Sequence, residues 1–119
     1  MVYIKEAHPE DGDEGALIHN AKAGIHVEEP TTDLDRAIIA RTMCQTLHTE
    51  LPCVVDGVDN RVNDTYAAWP ARIYIVGVDG KVQYRGNPGP EGFKPAEAKD
   101  ALESILGVAT QVSVASGGR

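Results

Sequence analysis

Apolar and polar positions alternate in a way that divides the chain into short elements set off by turn-forming residues. Val2 to Lys5 reads as a strand, and the stretch from Glu6 to Pro30 has no regular period because Pro9, Gly12, Gly15 and Gly24 interrupt it. Loops of that length either carry function or are disordered. Thr32-Asp33-Leu34-Asp35 resembles a capping box, with acidic residues where the helix dipole favours them. Leu34, Ala37, Ile38, Ala40, Cys44 and Leu47 then recur at helical spacing, which predicts an amphipathic helix over 33–48 whose apolar stripe packs on a sheet. Cys53 to Asp56 suits a short buried parallel strand, and Asn60 is placed to cap a brief helix over 61–67.

Arg72 to Val78 and Lys81 to Arg85 form the clearest local pattern, two strands joined by Asp79-Gly80, a type I′ turn signal. The first is apolar on both faces and is expected to be central, whereas the second alternates and is expected near an edge. Pro95 and Gly107 bracket a final helix with the stripe Ala98, Ala101, Leu102, Ile105 and Leu106. The Ser-, Gly- and Ala-rich segment 108–119 reads as a flexible tail. The order β-α-β-α-β-β-α mixes parallel crossovers with an antiparallel hairpin, which implies an α/β sandwich with helices on both faces of a mixed sheet.

The length of 119 residues fits one domain, read as 1–107, with room for one modest core. Apolar residues make up 42% and charged residues 24%, an ordinary globular balance. Eleven Lys and Arg against eighteen Asp and Glu give a net charge of −7 without a basic stripe, so nucleic acid is excluded as a partner. With no apolar run near the length of a bilayer span and no basic-then-apolar leader, the expected setting is cytoplasmic, away from membranes. Cys44 and Cys53 are too far apart for a CxxC pair and too few for a disulfide scaffold or zinc ribbon, so both read as small buried apolar side chains.

The first strand runs straight into an acidic stretch holding Glu6, His8, Glu10, Asp11, Asp13 and Glu14. Taken by itself, His8 is a solvated loop histidine. Glu6, His8, Asp11, His19 and His26 lack the HxH or HxxxH spacing of a metal site, so no metal is expected. Tyr66 and Trp69 read as packing residues, and the Gly and Pro of GNPGPEGF as turn formers.

Three stretches, VYIKEAHPEDG (Val2 to Gly12), VVDGVDNRVNDTYAAWPARIYIV (Val54 to Val76) and GKVQYRGNPGPEGF (Gly80 to Phe93), together resemble the iodothyronine deiodinase family. The resemblance implies a thioredoxin-like fold with peroxiredoxin-like insertions. It also implies an oxidoreductase that replaces iodine on an aromatic ring by hydrogen, using an external thiol reductant and no bound cofactor. In such a family the nucleophile, a selenocysteine or cysteine, ends the first core strand, and VYIKEAH would be the second core strand. That first βα unit is expected to be missing here, with Met1 standing where translation would be read to restart after a selenocysteine codon. His8 then resembles the catalytic histidine, facing the nucleophile at the carboxyl ends of neighbouring strands. Imidazole suits proton transfer because its ordinary pKa lies close to neutral pH. Glu6 and Arg72 are expected to bind substrate, Arg72 also holding a thiolate or selenolate anionic. Without the resemblance, Arg72 reads as a surface arginine paired with Asp56 or Glu91.

Where the family carries a second histidine, six residues before the Arg of the Asp35-Arg36 pair, this chain has Pro30, which cannot donate a hydrogen bond. Ala71 replaces the glutamate before Arg72, and Asp13 replaces a tryptophan. These departures weaken the expectation of thyroid-hormone specificity and are compatible with a relative acting on another small halogenated aromatic or thiol substrate, with His26 as a substitute if the loop folds to allow it. As it stands, the chain is expected to lack turnover. The competing reading is a non-catalytic thioredoxin-like binding or scaffold module, in which the vacant strand position is filled by homodimerisation.

Overall fold

The computed structural model describes residues 1–12, 20 and 22–116, with side chains through Gly107. The break at Gly15, the acids Asp13 and Glu14, His19 and residues 117–119 of the expected tail lie outside the described residues. The elements follow the predicted order: β1 (Val2–Tyr3), α1 (Asp33–Thr46), β2 (Val54–Val55), α2 (Arg61–Tyr66), β3 (Tyr74–Val76), β4 (Val82–Arg85) and α3 (Pro95–Ser116). The protein is mixed α/β and divides into two units, Met1–Pro70 and Ala71–Arg119.

In the first unit β1 and β2 run parallel, Val2 opposite Val54 and Tyr3 opposite Val55, with α1 as the crossover. The Met1 ammonium donates to Pro52 O at 2.9 Å, Val54 N to Met1 O at 3.1 Å and Asp56 N to Tyr3 O at 2.8 Å, which extends the ladder at both ends. Helix α1 starts as its sequence predicts. Thr32 has extended backbone (φ −131°, ψ 160°) and its hydroxyl accepts from Asp35 N at 3.1 Å. The Asp35 carboxylate accepts from Thr31 Oγ1 at 3.1 Å, and the bonds to Thr32 and Thr31 hold its pKa below the ordinary value. The helix ends where His48 turns left-handed at φ 50°.

The inward face of α1 differs from the predicted stripe. Arg36 and Ala40 are buried and Ile39, Met43 and Cys44 half-buried, whereas Leu34, Ile38 and Leu47 are exposed. The cause is Arg36. Its Nε and Nη2 donate to Glu6 Oε2 and Oε1 at 3.3 and 3.1 Å, and its Nη1 donates to Gly57 O just past β2. The two side chains are 3% and 4% exposed. Satisfying a guanidinium at this depth fixes the rotation of the helix, because an unpaired buried charge costs more than an exposed leucine forfeits. Glu6 is tied further, its backbone oxygen accepting from Trp69 Nε1 at 3.3 Å. Burial and the Glu6 carboxylate push the Tyr3 phenol well above its ordinary pKa.

Asn60 occupies the N-cap position of α2, but at φ 59° and ψ 30° its side chain makes no capping bond. The buried Asp56 does that work across the turn, its Oδ1 accepting from Val62 N at 3.0 Å and Oδ2 from Asn63 N at 2.9 Å. Asp33 Oδ1 likewise accepts from Val58 N at 2.9 Å, tying the start of α1 to the loop after β2.

In the second unit β3 and β4 pair antiparallel, Tyr74 opposite Arg85, with an irregularity between Ile75 and Val76. The reversal is not the predicted type I′ turn. Among the described non-glycine residues only His8, His48, Asn60 and Ala67 take positive φ, so Asp79 does not. Gly80 alone turns left-handed, at φ 79°, and Gly77 N donates to Lys81 O at 2.8 Å across Val78, Asp79 and Gly80. Among the described residues this sheet holds β3 and β4 only, where a central place was expected for β3. Helix α3 packs on the hairpin through the buried Ala98, and Tyr84 Oη donates to Glu97 Oε1 at 3.0 Å. It continues to Ser116 instead of ending at Gly107, so 108–116, expected as tail, has helical backbone.

Two consequences of the buried network are measurable. Arg36→Met leaves the Glu6 carboxylate without its cation and is expected to cost about 3 to 5 kcal/mol in urea unfolding. Adding Glu6→Leu restores most of that loss, and a double variant as unstable as Arg36→Met contradicts the pairing. Because the folded state favours the neutral Tyr3 phenol, its contribution to stability is full below the ordinary phenol range and is lost as pH rises above it. A tyrosinate absorbance titration should show Tyr3→Phe removing a phenol that ionises above that range, and removal of an ordinary one contradicts the account.

Candidate active site

The EAHPEDG segment leaves β1 as a tight turn anchored at Glu6. Two residues on, His8 adopts φ 56°, the left-handed region that costs most side chains about 1 to 2 kcal/mol and that histidine tolerates better than most. Gly12 N donates to Pro9 O at 3.1 Å, and a Cβ on Gly12 would stand 2.7 Å from Pro9 Cγ, so only glycine closes the turn. The following chain is laced to residues 26–29. Glu10 N donates to Val27 O at 2.7 Å, Glu29 N donates to Asp11 Oδ1 at 2.6 Å, and His26 Nδ1 lies 2.5 Å from Glu10 Oε1.

Between this lacing and α1 lies a groove of about 980 Å³. The half-buried His8 lines it beside Tyr3, with Ile39, Met43 and Leu47 as an apolar wall and His26 as a polar one. An imidazole lining a groove can exchange a proton with a bound guest. Pro30, standing where the family resemblance expects a histidine, lines the same groove as His26.

The structure sets Glu6 and His8 on one turn. Glu6 is buried with both carboxylate oxygens on Arg36. Arg72 belongs to the second unit, where its Nε donates to Gly86 O at 2.7 Å and its guanidinium lies 5.6 Å from the Tyr74 ring centre. Asp56, suggested by sequence as a partner for Arg72, has both carboxylate oxygens on the α2 amides. Sequence reasoning missed Arg36 and Tyr3. The available signal was Arg36 itself, a charged residue on the row that continues through Ile39, Ala40 and Met43. Among the described residues no group of three or more His, Cys, Asp or Glu could hold a metal ion, and no helix is long and apolar enough to cross a membrane.

Comparison with known proteins agrees with the motifs. The family described as Iodothyronine deiodinase matches residues 1–106. Type I iodothyronine deiodinase of Xenopus laevis is 36% identical over 103 residues, covering 87% of this chain and 38% of the relative. Thyroxine 5-deiodinase of Sparus aurata is 38% identical over 106 residues, covering 87% of this chain and 36% of the relative. Type II iodothyronine deiodinase of Petromyzon marinus is 32% identical over 107 residues, covering 88% and 35%. The chain thus spans little more than a third of the length of these relatives. No solved structure matches it. With a family match across nearly all the described residues and relatives above 30% identity over most of its length, the chain belongs to the iodothyronine deiodinase family.

Proposed function

We propose that this chain is the substrate-cradling and proton-handling portion of a deiodinase-like oxidoreductase with a thioredoxin-like architecture. The observation that carries the reading is His8, lining a groove with an apolar wall on α1, on a turn that the Glu6–Arg36 pair anchors. Replacing iodine by hydrogen on a ring carbon takes two electrons and one proton. In this reading a thiol or selenol outside the described residues attacks the halogen, His8 manages the proton, and an external thiol supplies the electrons. No bound cofactor is required. The substrate is a small halogenated aromatic whose flat face meets Ile39 and Met43, with the His26–Glu10 pair as the polar contact. Because neither cysteine acts as the nucleophile, the chain binds such a compound without turning it over.

Titration calorimetry with a di-iodinated phenol tests this. Saturable 1:1 binding is expected, weakened about tenfold in His8→Ala, the loss of about one charge-assisted hydrogen bond. His8→Gly should lose the same affinity yet stay within about 1 kcal/mol of the parent's stability, since glycine takes the left-handed φ without a Cβ penalty. No binding, or equal binding by His8→Ala, overturns the reading.

One observation favours the scaffold alternative. Strand β2 leaves Val54 63% and Val55 38% exposed, an apolar sheet surface next to Leu51 that a second copy could cover. A homodimer is the partner proposed for it. Light scattering should then report a dimer that Val54→Lys converts to a monomer, and a monomer throughout contradicts it.

A further inference from the structure

The sequence has two cysteines, and the fold brings them together. Cys44 lies on the inward row of α1 near its end, and Cys53 directly precedes β2, against which α1 packs. The backbone between them reverses at once. Leu47 N donates to Met43 O at 2.9 Å, Thr49 N to Cys44 O at 3.2 Å, and the Met1 ammonium holds Pro52 in the parallel ladder. Both thiols are free and half-buried, at the end of the crossover where α1 hands over to β2. Two cysteines placed at random in a chain of 119 residues seldom meet, and the α1–β2 crossover puts these on facing elements. The spacing that excludes a CxxC motif does not exclude a pair closed by tertiary structure.

We propose that Cys44 and Cys53 are a dithiol site that closes to an intramolecular disulfide by exchange with a small-molecule disulfide. One thiol loses its proton and its sulfur attacks a sulfur of the small disulfide, forming a mixed disulfide and releasing one small thiol. The second cysteine then loses its proton and attacks the protein sulfur of that mixed disulfide, releasing the other small thiol. The pair gives up two electrons and two protons, the small disulfide gains them, and no further oxidant is needed. Burial and the neighbouring Cys53 thiol push the Cys44 thiol above its ordinary pKa, and Cys53 Sγ lies 3.6 Å from Val54 O. The closed bond ties the end of α1 to the start of β2. Met43, Thr46 and Leu47, which flank Cys44, also line the His8 groove, so the bond fixes one wall of it.

The test uses the full chain and glutathione disulfide at mildly alkaline pH, followed by N-ethylmaleimide and intact-mass measurement. The expected product is lighter than the reduced chain by two hydrogens, carries neither glutathione nor maleimide, returns to the dithiol with dithiothreitol, and melts several degrees higher. Cys44→Ser and Cys53→Ser should each stop at a single attached glutathione. A parent chain that ends with two glutathiones or two maleimides, or that forms its disulfide only between molecules, overturns the proposal. So does a melting temperature unchanged by oxidation. None of these readouts depends on groove binding, so they stand apart from the proposed function.

Discussion

The buried pair between Glu6 and Arg36 is the interaction on which the first unit depends. Taking a carboxylate and a guanidinium out of water costs several kcal/mol for each ion, and the cost is offset only when geometry and further hydrogen bonds are good. Here they are. Arg36 reaches both oxygens of Glu6 and the carbonyl of Gly57, while the Glu6 backbone receives the Trp69 indole. The turn after β1, helix α1, the loop after β2 and the segment after α2 thereby meet at one point. A pair of this kind adds little net stability over apolar side chains of the same volume. Its worth lies in specifying a single arrangement, since every alternative strands a charge.

That specification matters because apolar burial alone does little. Ala40 and Ala98 are the buried hydrophobic residues among those described, one in each unit, while Leu34, Ile38, Leu47, Leu51, Val54 and Val82 are exposed. A side chain as small as alanine contributes little hydrophobic free energy. The first unit is held instead by directional bonds: the Glu6 network, the Asp56 carboxylate on the α2 amides and the Asp33 carboxylate on Val58. Such bonds fix positions sharply, which suits a histidine that must sit in a strained backbone conformation at the mouth of a groove.

Much of this organisation is legible in the residues. The start of α1 follows from Thr32 and its acidic first turn, and the hairpin from alternation around Asp79-Gly80, because local chemistry decides both. What escaped the sequence was decided at long range. The predicted stripe of Leu34, Ala37, Ile38, Ala40, Cys44 and Leu47 faces inward only at Ala40 and Cys44, since periodicity counts hydrophobic side chains and cannot register that a buried carboxylate thirty residues away demands Arg36. Asn60 is a good capping residue by type, yet Asp56 supplies the cap from across a turn. Gly107 carries a helix stop by composition, yet the backbone stays helical through it. At the site, His8 was readable only through its motif. Glu6 and Arg36 each carry a recognisable charge, but their pairing is a fact of the fold. The two thiols likewise show no relation in the sequence, because a crossover brings them together.

Native-state hydrogen exchange of the Glu10 and Gly12 amides, compared between the parent chain and Arg36→Lys, tests most directly whether the buried pair holds the turn that carries His8. Lysine keeps the charge but loses the forked reach to two carboxylate oxygens and Gly57. Both amides should lose more protection in the variant than the amides of the β3–β4 hairpin do. Unchanged protection at Glu10 and Gly12, or a loss no greater than in the hairpin, would show that the turn stands without the pair.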